Sequence, residues 1–200
     1  ADVAAETFDP DVIEDNPVRC PDPAAAERMV AAIEAAKADS DSVGGRIRVE
    51  ALGVPAGLGD PVFGKLDASL AWGLMSIGGV RAVEIGAGRD VVSLRGSEDN
   101  DALGEQGFET NHAGGINGGI SNGAPVVATI SVKPTSSIGR TQQTIDRDGQ
   151  PRELQVEGRH DPCLCPRVVA VAEAMVAFCL ADALLAQRMI GREPPTGGQG

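Results

Sequence analysis

The chain has 200 residues and a formal net charge of −12, long enough for one sizeable core or two small ones. Apolar residues make up 42% and charged residues 23%, the balance of a globular domain, and the acidic excess argues against nonspecific nucleic-acid binding, which needs a basic face. Aromatics at 2% leave Ala, Val, Ile and Leu to fill the core.

Residues 1–19 are acidic and irregular and read as an arm or loop. Asp22 and Pro23 then form a helix start, because Asp caps the free amides of a first turn and Pro fits its first position. Met29, Val30, Ile33 and Ala36 recur at helical spacing, and the helix fades by Ser40. Ile47, Val49 and Ala51 alternate with Arg46, Arg48 and Glu50, the pattern of a half-buried strand. Lys65 to Ile77 is predicted as a second helix, with Leu66, Leu70, Leu74 and Ile77 along one side; Gly78 and Gly79 end it. "VRAVEIGAG" reads as a strand entering a glycine turn and "DVVSLRG" as a further strand. Glu98 to Glu109 reads as a mobile polar loop, "PVVATISVK" as a strand, and Asp148-Gly149 as the turn of a hairpin. Pro166 to Met189 is a long helix, apolar nearly all round, and therefore expected to be buried on more than one side. Glu173 and Asp182 argue against lipid, where each would be costly. No uninterrupted apolar run is long enough to cross a bilayer. With no sign of secretion, the four cysteines are expected to be reduced thiols in a cytoplasmic protein. Residues 190–200 read as a frayed tail. The opening at Ala1 rather than Met suggests a fragment.

Four stretches carry candidate chemistry. "HAGGINGGISNG" (112–123) interleaves Ile116 and Ile120 with glycines and runs into a strand, unlike a Gly/Ser linker. Its glycines permit positive φ and close backbone approach to a ligand, and its amides can cradle an anion. In "SVKPTSSIGR", Lys133 ends a strand, Pro134 stops the ladder, and Thr135, Ser136 and Ser137 present hydroxyls. That cluster suits a phosphate or a cofactor's polar rim, and equally an ordinary strand-to-loop turn. In "EGRHDPCLCPR", Arg159, His160 and Asp161 place charge and an acid at the mouth of the long helix. His160, Cys163 and Cys165 leave a zinc set incomplete, so no metal is expected and the cysteines read as small core residues. "VEIGAGRD" resembles a nucleotide-binding turn, as in many methyltransferases, but lacks the third glycine of the dinucleotide fingerprint.

Taken in order, "RCPD", "DSVGG", "VPAGLGDPVFGKLDASLA", "LMSI", "VEIGAG", "RGSEDND", "TNHAGGINGGISNG", "KPTSSI" and "GRHDPCLCPR" resemble the second half of chorismate synthase, over about Asn16 to Met189. The resemblance implies an α+β fold, long buried helices packed against antiparallel sheet, here one half of a β-α-β sandwich spanning 20–189. It implies the 1,4-anti elimination of phosphate from 5-enolpyruvylshikimate-3-phosphate, the last step of the shikimate pathway, with reduced FMN as cofactor. It also associates the activity with NADP and a homotetramer. By position, Gly78, Gly79, Gly118, Lys133, Pro134, Thr135, Ser136, Ser137 and Arg159 match flavin contacts. Arg159 also falls where the substrate's anionic groups would bind, and Asp161 matches an aspartate near flavin N5 that can assist proton transfer. Gly78 and Gly79 depart from the usual residue types, Asp99 stands where the family has His, His112 where it has Asn, and Arg89 where an aromatic is common. The family's two catalytic histidines and its "RSSARET"-type flavin motif belong to the N-terminal half, so His112 and His160 are not assigned those roles. The chain is therefore expected to be inactive alone and to need that half as a partner; the alternative is a noncatalytic flavin-binding scaffold.

Overall fold

The first helix, α1 (Pro23–Ala38), begins where Asp22 and Pro23 place it. The computed structural model describes residues 3–105 and 107–191; most of the predicted tail, 190–200, lies outside them. The buried Asp22 carboxylate accepts from Ala25 N at 3.0 Å, and its other oxygen accepts from Glu6 N at 2.9 Å and Thr7 N at 3.3 Å. One side chain thus caps α1 and anchors the acidic arm, which also carries a 3-10 helix at Pro10–Asp15. These amides, Ala25 first and then Glu6, hold the Asp22 carboxyl at about 2, against its ordinary 3.8. A lowered carboxyl stabilises the fold above its ordinary value, and that contribution is lost as pH falls toward the lowered one. Asp22→Asn is expected to be less stable at neutral pH and to show a shallower stability loss between about pH 4 and 2. Circular dichroism at a series of pH values checks this; an acid limb as steep as that of wild type excludes Asp22 as a linked group.

The chain forms two compact units, Arg46–Ser131 with Ala170–Gly200, and Ala1–Gly45 with Val132–Val169. In the former, β1 (Gly45–Ala51) buries Ile47 and Val49 while Arg46, Arg48 and Glu50 stay exposed, as alternation requires. Next, α2 (Leu66–Met75) buries Leu66, Leu70 and Leu74 of the predicted stripe and ends before its fourth member, the half-buried Ile77. After β2 (Val80–Ile85) the structure differs from expectation: Gly88–Ser93 is a 3-10 helix, not a strand. Gly86 and Gly88 adopt φ of +58° and +56° and turn the chain. Val91 and Val92 are exposed, so the valine pair has strand-like composition but no face to bury. The polar stretch read as a mobile loop contains α3 (Gly96–Asp99) and an antiparallel hairpin of β3 (Leu103–Gly104) and β4 (Gly107–Phe108). A second small hairpin pairs β5 (Ile116–Asn117) with β6 (Ile120–Ser121). β7 (Val126–Val132) is the centre of a three-stranded sheet of order β1-β7-β2. It buries Val126, Val127, Ala128, Ile130 and Val132, side chains on both of its faces.

In the other unit, β8 (Gln142–Ile145) and β9 (Pro151–Leu154) form the expected antiparallel hairpin around Asp148-Gly149. Asp146 closes its turn by accepting from the amides of Asp148 and Gln150. The last helix, α4 (Cys165–Met189), begins in this unit and continues into the other. Gly73 of α2 lets α4 approach closely, since a Cβ there would stand 2.8 Å from Cys179 Sγ and 3.2 Å from Met175 Sδ. The burial on more than one side expected of α4 is not found. Val168, Ala172 and Val176 are buried along one side, whereas Val171, Phe178, Leu185 and Met189 are exposed. Its length and mean hydropathy of 2.2 would allow it to cross a membrane, and 17% of its most apolar stretch is buried. Glu173 and Asp182 lie on exposed positions. The apolar sequence thus describes two faces, of which this chain covers one.

Candidate functional site

The glycine stretch is a built structure. Gly118 and Gly119, with φ of +61° and +85°, form the two-residue turn between β5 and β6; positive φ at both central positions is the hairpin geometry that favours glycine. Where a Gly118 Cβ would point there is open space, whereas one on Gly119 would strike the Lys65 side chain. Gly119 O accepts from Leu66 N at 2.8 Å, which ties the turn to the start of α2. The buried hydroxyl of Ser121 donates to Pro55 O at 2.6 Å and accepts from Leu58 N at 2.9 Å. Ser121→Ala strands both groups and is expected to cost about 1–3 kcal/mol, read as a lower urea midpoint with unchanged slope. A midpoint equal to that of wild type would show the two groups to be satisfied otherwise.

The near end of the stretch is pinned by Asp101, which sequence reasoning missed. Its carboxylate accepts from Thr110 Oγ1 at 2.6 Å, His112 N at 2.7 Å and Ala113 N at 2.9 Å. Burial opposes its charge, but these bonds outweigh burial and hold the carboxyl below its ordinary value. His112 and Asp99, two of the departures from the family pattern, touch: His112 Nδ1 lies 3.3 Å from the Asp99 carbonyl oxygen. Asn111 accepts from Gly115 N at 2.7 Å and donates to Pro125 O at 2.8 Å. The "VEIGAG" turn has a structural task here. Gly86 N donates to Val127 O at 3.0 Å and Ala87 N to His112 O at 2.8 Å, laying the turn directly on the glycine stretch. Gly78 and Gly79 join α2 to β2, with Gly79 at φ +95°.

In the other unit, Ser42–Gly45 brings two candidate segments together. Ser42 Oγ donates to Thr135 O at 2.7 Å. Val43 N donates to Pro162 O at 2.8 Å, and Val43 pairs in parallel with Cys163. A Cβ on Gly44 would stand 3.1 Å from Pro134, and one on Gly45 2.9 Å from Cys165 Sγ. The "DSVGG" stretch therefore runs between 132–135 on one side and 162–165 on the other, and glycine lets both come close. Lys133 Nζ reaches Ser136 Oγ at 3.3 Å. Thr135 Oγ1 is buried and has no hydrogen-bond partner among the described residues. Arg159 is exposed, with no ion pair among the described residues. Asp161 is paired with Arg167 Nη1, in the first turn of α4, at 2.7 Å. His160 Nε2 faces the Val156 carbonyl at 2.9 Å, which makes that nitrogen the donor. A cavity of about 260 Å³ opens beside it, bordered by Lys37, Ser40, Asp41 and Gly158. Lys37 carries no sequence signal of its own, and Ser42 and Arg167 stood in quoted motifs without a role; only the fold gives them one. No group of three or more metal-ligating side chains occurs among the described residues.

The neighbouring Cys165 thiol lowers the Cys163 thiol to about 6, and the same neighbour, together with burial, drives Cys165 well above its ordinary value.

A family model described as chorismate synthase matches residues 3–185. The chain belongs to the chorismate synthase family. It is 52% identical over 189 residues to the chorismate synthase of Nitratidesulfovibrio vulgaris, covering 94% of this chain and 54% of that protein. The enzymes of Desulfatibacillum aliphaticivorans and Chloroflexus aggregans are each 50% identical, with 94% of this chain and 52% and 53% of theirs covered. A solved chorismate synthase superposes with a TM-score of 0.72 at 32% identity, covering 88% of this chain and 48% of that one. The α+β fold is thus that of the family, and the chain spans about half the length of the chorismate synthases it matches.

Proposed function

We propose that this chain supplies the half of a chorismate synthase that carries Lys133, Arg159 and Asp161, in the elimination of phosphate from 5-enolpyruvylshikimate-3-phosphate to give chorismate. The family match over residues 3–185 carries this reading. Reduced FMN fits the residues present. Among the described residues, Thr135 offers a buried hydroxyl with no hydrogen-bond partner, and Arg159 a cation with no ion pair. Gly118 offers backbone beside open space. Lys133, Pro134, Thr135, Ser136, Ser137 and Arg159 are proposed to hold flavin and phosphate oxygens, the cations opposing negative charge and the hydroxyls donating to it. Gly78, Gly79 and Gly118 are proposed as backbone contacts to the flavin. When bound, reduced flavin supplies electron density to the allylic system as phosphate leaves. Arg159 binds the substrate's anionic groups, and Asp161, fixed by Arg167, helps move the C6 proton. A water-excluding pocket strengthens each of these interactions. Turnover is proposed to need the remainder of the family domain, which would cover the exposed face of α4. Homotetrameric assembly, a cytoplasmic location and the association with NADP belong to the same reading.

Flavin titration with an elimination assay beside it tests the proposal. FMN fluorescence is expected to be quenched on binding, and Lys133→Ala and Arg159→Ala to weaken that binding. Chorismate is expected only when the remainder of the domain is present. Quenching without chorismate in the assembled protein would instead identify a noncatalytic flavin scaffold.

A further inference from the structure

The glycine stretch holds two Asn-Gly pairs, Asn117-Gly118 and Asn122-Gly123, and neither asparagine side chain is given a part in the elimination. An asparagine amide carbon can be attacked by the backbone nitrogen of the next residue, and glycine, having no Cβ, leaves that nitrogen open. The chain's other asparagines, Asn16, Asn100 and Asn111, precede Pro17, Asp101 and His112; proline has no N–H, and the other two shield theirs. The fold separates the two pairs. Asn117 and Gly118 are exposed, Gly118 borders open space, and among the described residues Gly118 N donates no hydrogen bond. Asn122 Nδ2 donates to Asn117 Oδ1 at 2.6 Å, which supports the negative charge that builds on that oxygen during attack. Asn122 itself is half-buried and held through its backbone and both ends of its amide: its N donates to Gly115 O at 2.9 Å, and its Oδ1 accepts from Ala124 N at 2.9 Å. Bonds from Leu66 N to Gly119 O, and from Ser121 to Leu58 and Pro55, anchor the turn and β6. Asn117, at the end of the two-residue β5, is held by its pairing with Ile120 and by the Asn122 side chain. So short a ladder opens locally at little cost.

We propose that Asn117 is a site of spontaneous deamidation, becoming aspartate and isoaspartate while Asn122 keeps its amide. Gly118 N attacks Cγ of Asn117, and a carbon–nitrogen bond forms. The Cγ–Nδ2 bond breaks, and ammonia leaves with the proton given up by Gly118 N. Water then opens the cyclic imide. Opening at the side-chain carbonyl gives aspartate; opening at the main-chain carbonyl gives isoaspartate. In sum a water is consumed and an ammonia released, with no change of oxidation state. Either product puts a carboxylate where a neutral amide stood. Isoaspartate also inserts a carbon into the backbone at the Asn117–Ile120 pairing, which disturbs the register that shapes the Gly118-Gly119 turn. A weaker hold on FMN follows if Gly118 meets the flavin as proposed above; the modification itself does not depend on that reading.

The test incubates the folded chain in mildly alkaline buffer, which speeds imide formation, beside the same chain unfolded in urea. Its readout is independent of flavin or turnover. The folded chain is expected to show the mass change of NH2 replaced by OH. Peptide mapping should place that change at Asn117, and an isoaspartyl methyltransferase should methylate the same peptide. In urea, Asn117 and Asn122 should convert at similar rates, because each then lies in an unconstrained Asn-Gly pair. Gly118→Ala should abolish the change at Asn117 in the folded chain over the same interval, since a Cβ shields the attacking nitrogen. Should that variant fail to fold, wild-type mapping under the two conditions still decides. An Asn117 that keeps its amide while the unfolded chain is converted, or an Asn122 that converts as fast as Asn117 in the folded chain, overturns the proposal.

Discussion

Gly86→Ala is expected to destabilise the chain by about 2–6 kcal/mol, the sum of left-handed backbone strain and overpacking. Gly86 sits at φ +58°. A Cβ there would collide with the His112 carbonyl oxygen and with the Gly114 and Ala113 backbone, none of which is a side chain that can swing away. Gly114 faces the same crowding in return, its own Cβ position being 2.6 Å from Gly86 Cα. The substitution would push the glycine stretch off the "VEIGAG" turn and break the bonds at Ala87 N and Gly86 N. Against a typical stability of about 5–15 kcal/mol, such a loss approaches unfolding. Gly118→Ala is the control. Its φ of +61° is of the same kind, but open space surrounds it, so only about 1 kcal/mol is expected. Urea midpoints of the two variants decide: a similar loss in both would mean that the contact between the two turns is not what demands glycine at 86.

Asp161→Asn is expected to lower kcat about 10²–10⁴-fold in the assembled enzyme, the usual range for removing a group that moves a proton. Its effect on folding should be small. The Asp161–Arg167 pair has side chains 29% and 63% exposed, and ion pairs in water contribute little stability. Arg167→Gln removes the partner but leaves the carboxylate, so it should lower kcat less than Asp161→Asn does. A thermal midpoint unchanged in Asp161→Asn, with activity lost, separates chemistry from folding. An assembled Asp161→Asn enzyme with wild-type kcat would remove Asp161 from the reaction.

The parts of this fold legible in sequence are those set by local rules. Asp22-Pro23 is a capping signature, Leu66, Leu70 and Leu74 repeat at helical spacing, and Asp148-Gly149 is a turn. Each could be read because neighbours along the chain determine it. The site was legible only as separate segments. Nothing within "DSVGG" says that Ser42 will meet Thr135 or that Val43 will pair with Cys163; those contacts join residues about ninety or more positions apart. Asp101 sat in a stretch whose polarity resembled a loop, although its carboxylate organises the entry to the glycines. The valines of "DVVSLRG" misled because composition cannot show that two glycines have already turned the chain away. In α4, an all-round apolar sequence reports that both faces are meant to be covered, without saying by which residues. The resemblance named Gly118 as a flavin contact, and the fold adds that the hairpin turn itself favours glycine there.

Chorismate formation under anaerobic, reduced-FMN conditions is the most direct measurement. Its arms are this chain alone, the remainder of the family domain alone, and the two together, followed by the diene absorbance of chorismate with 5-enolpyruvylshikimate-3-phosphate as substrate. Product is expected only from the combined arm, and its rate should collapse with Arg159→Ala or Asp161→Asn. Turnover by the chain alone, or a folded and flavin-loaded combination that releases no chorismate, would contradict the account.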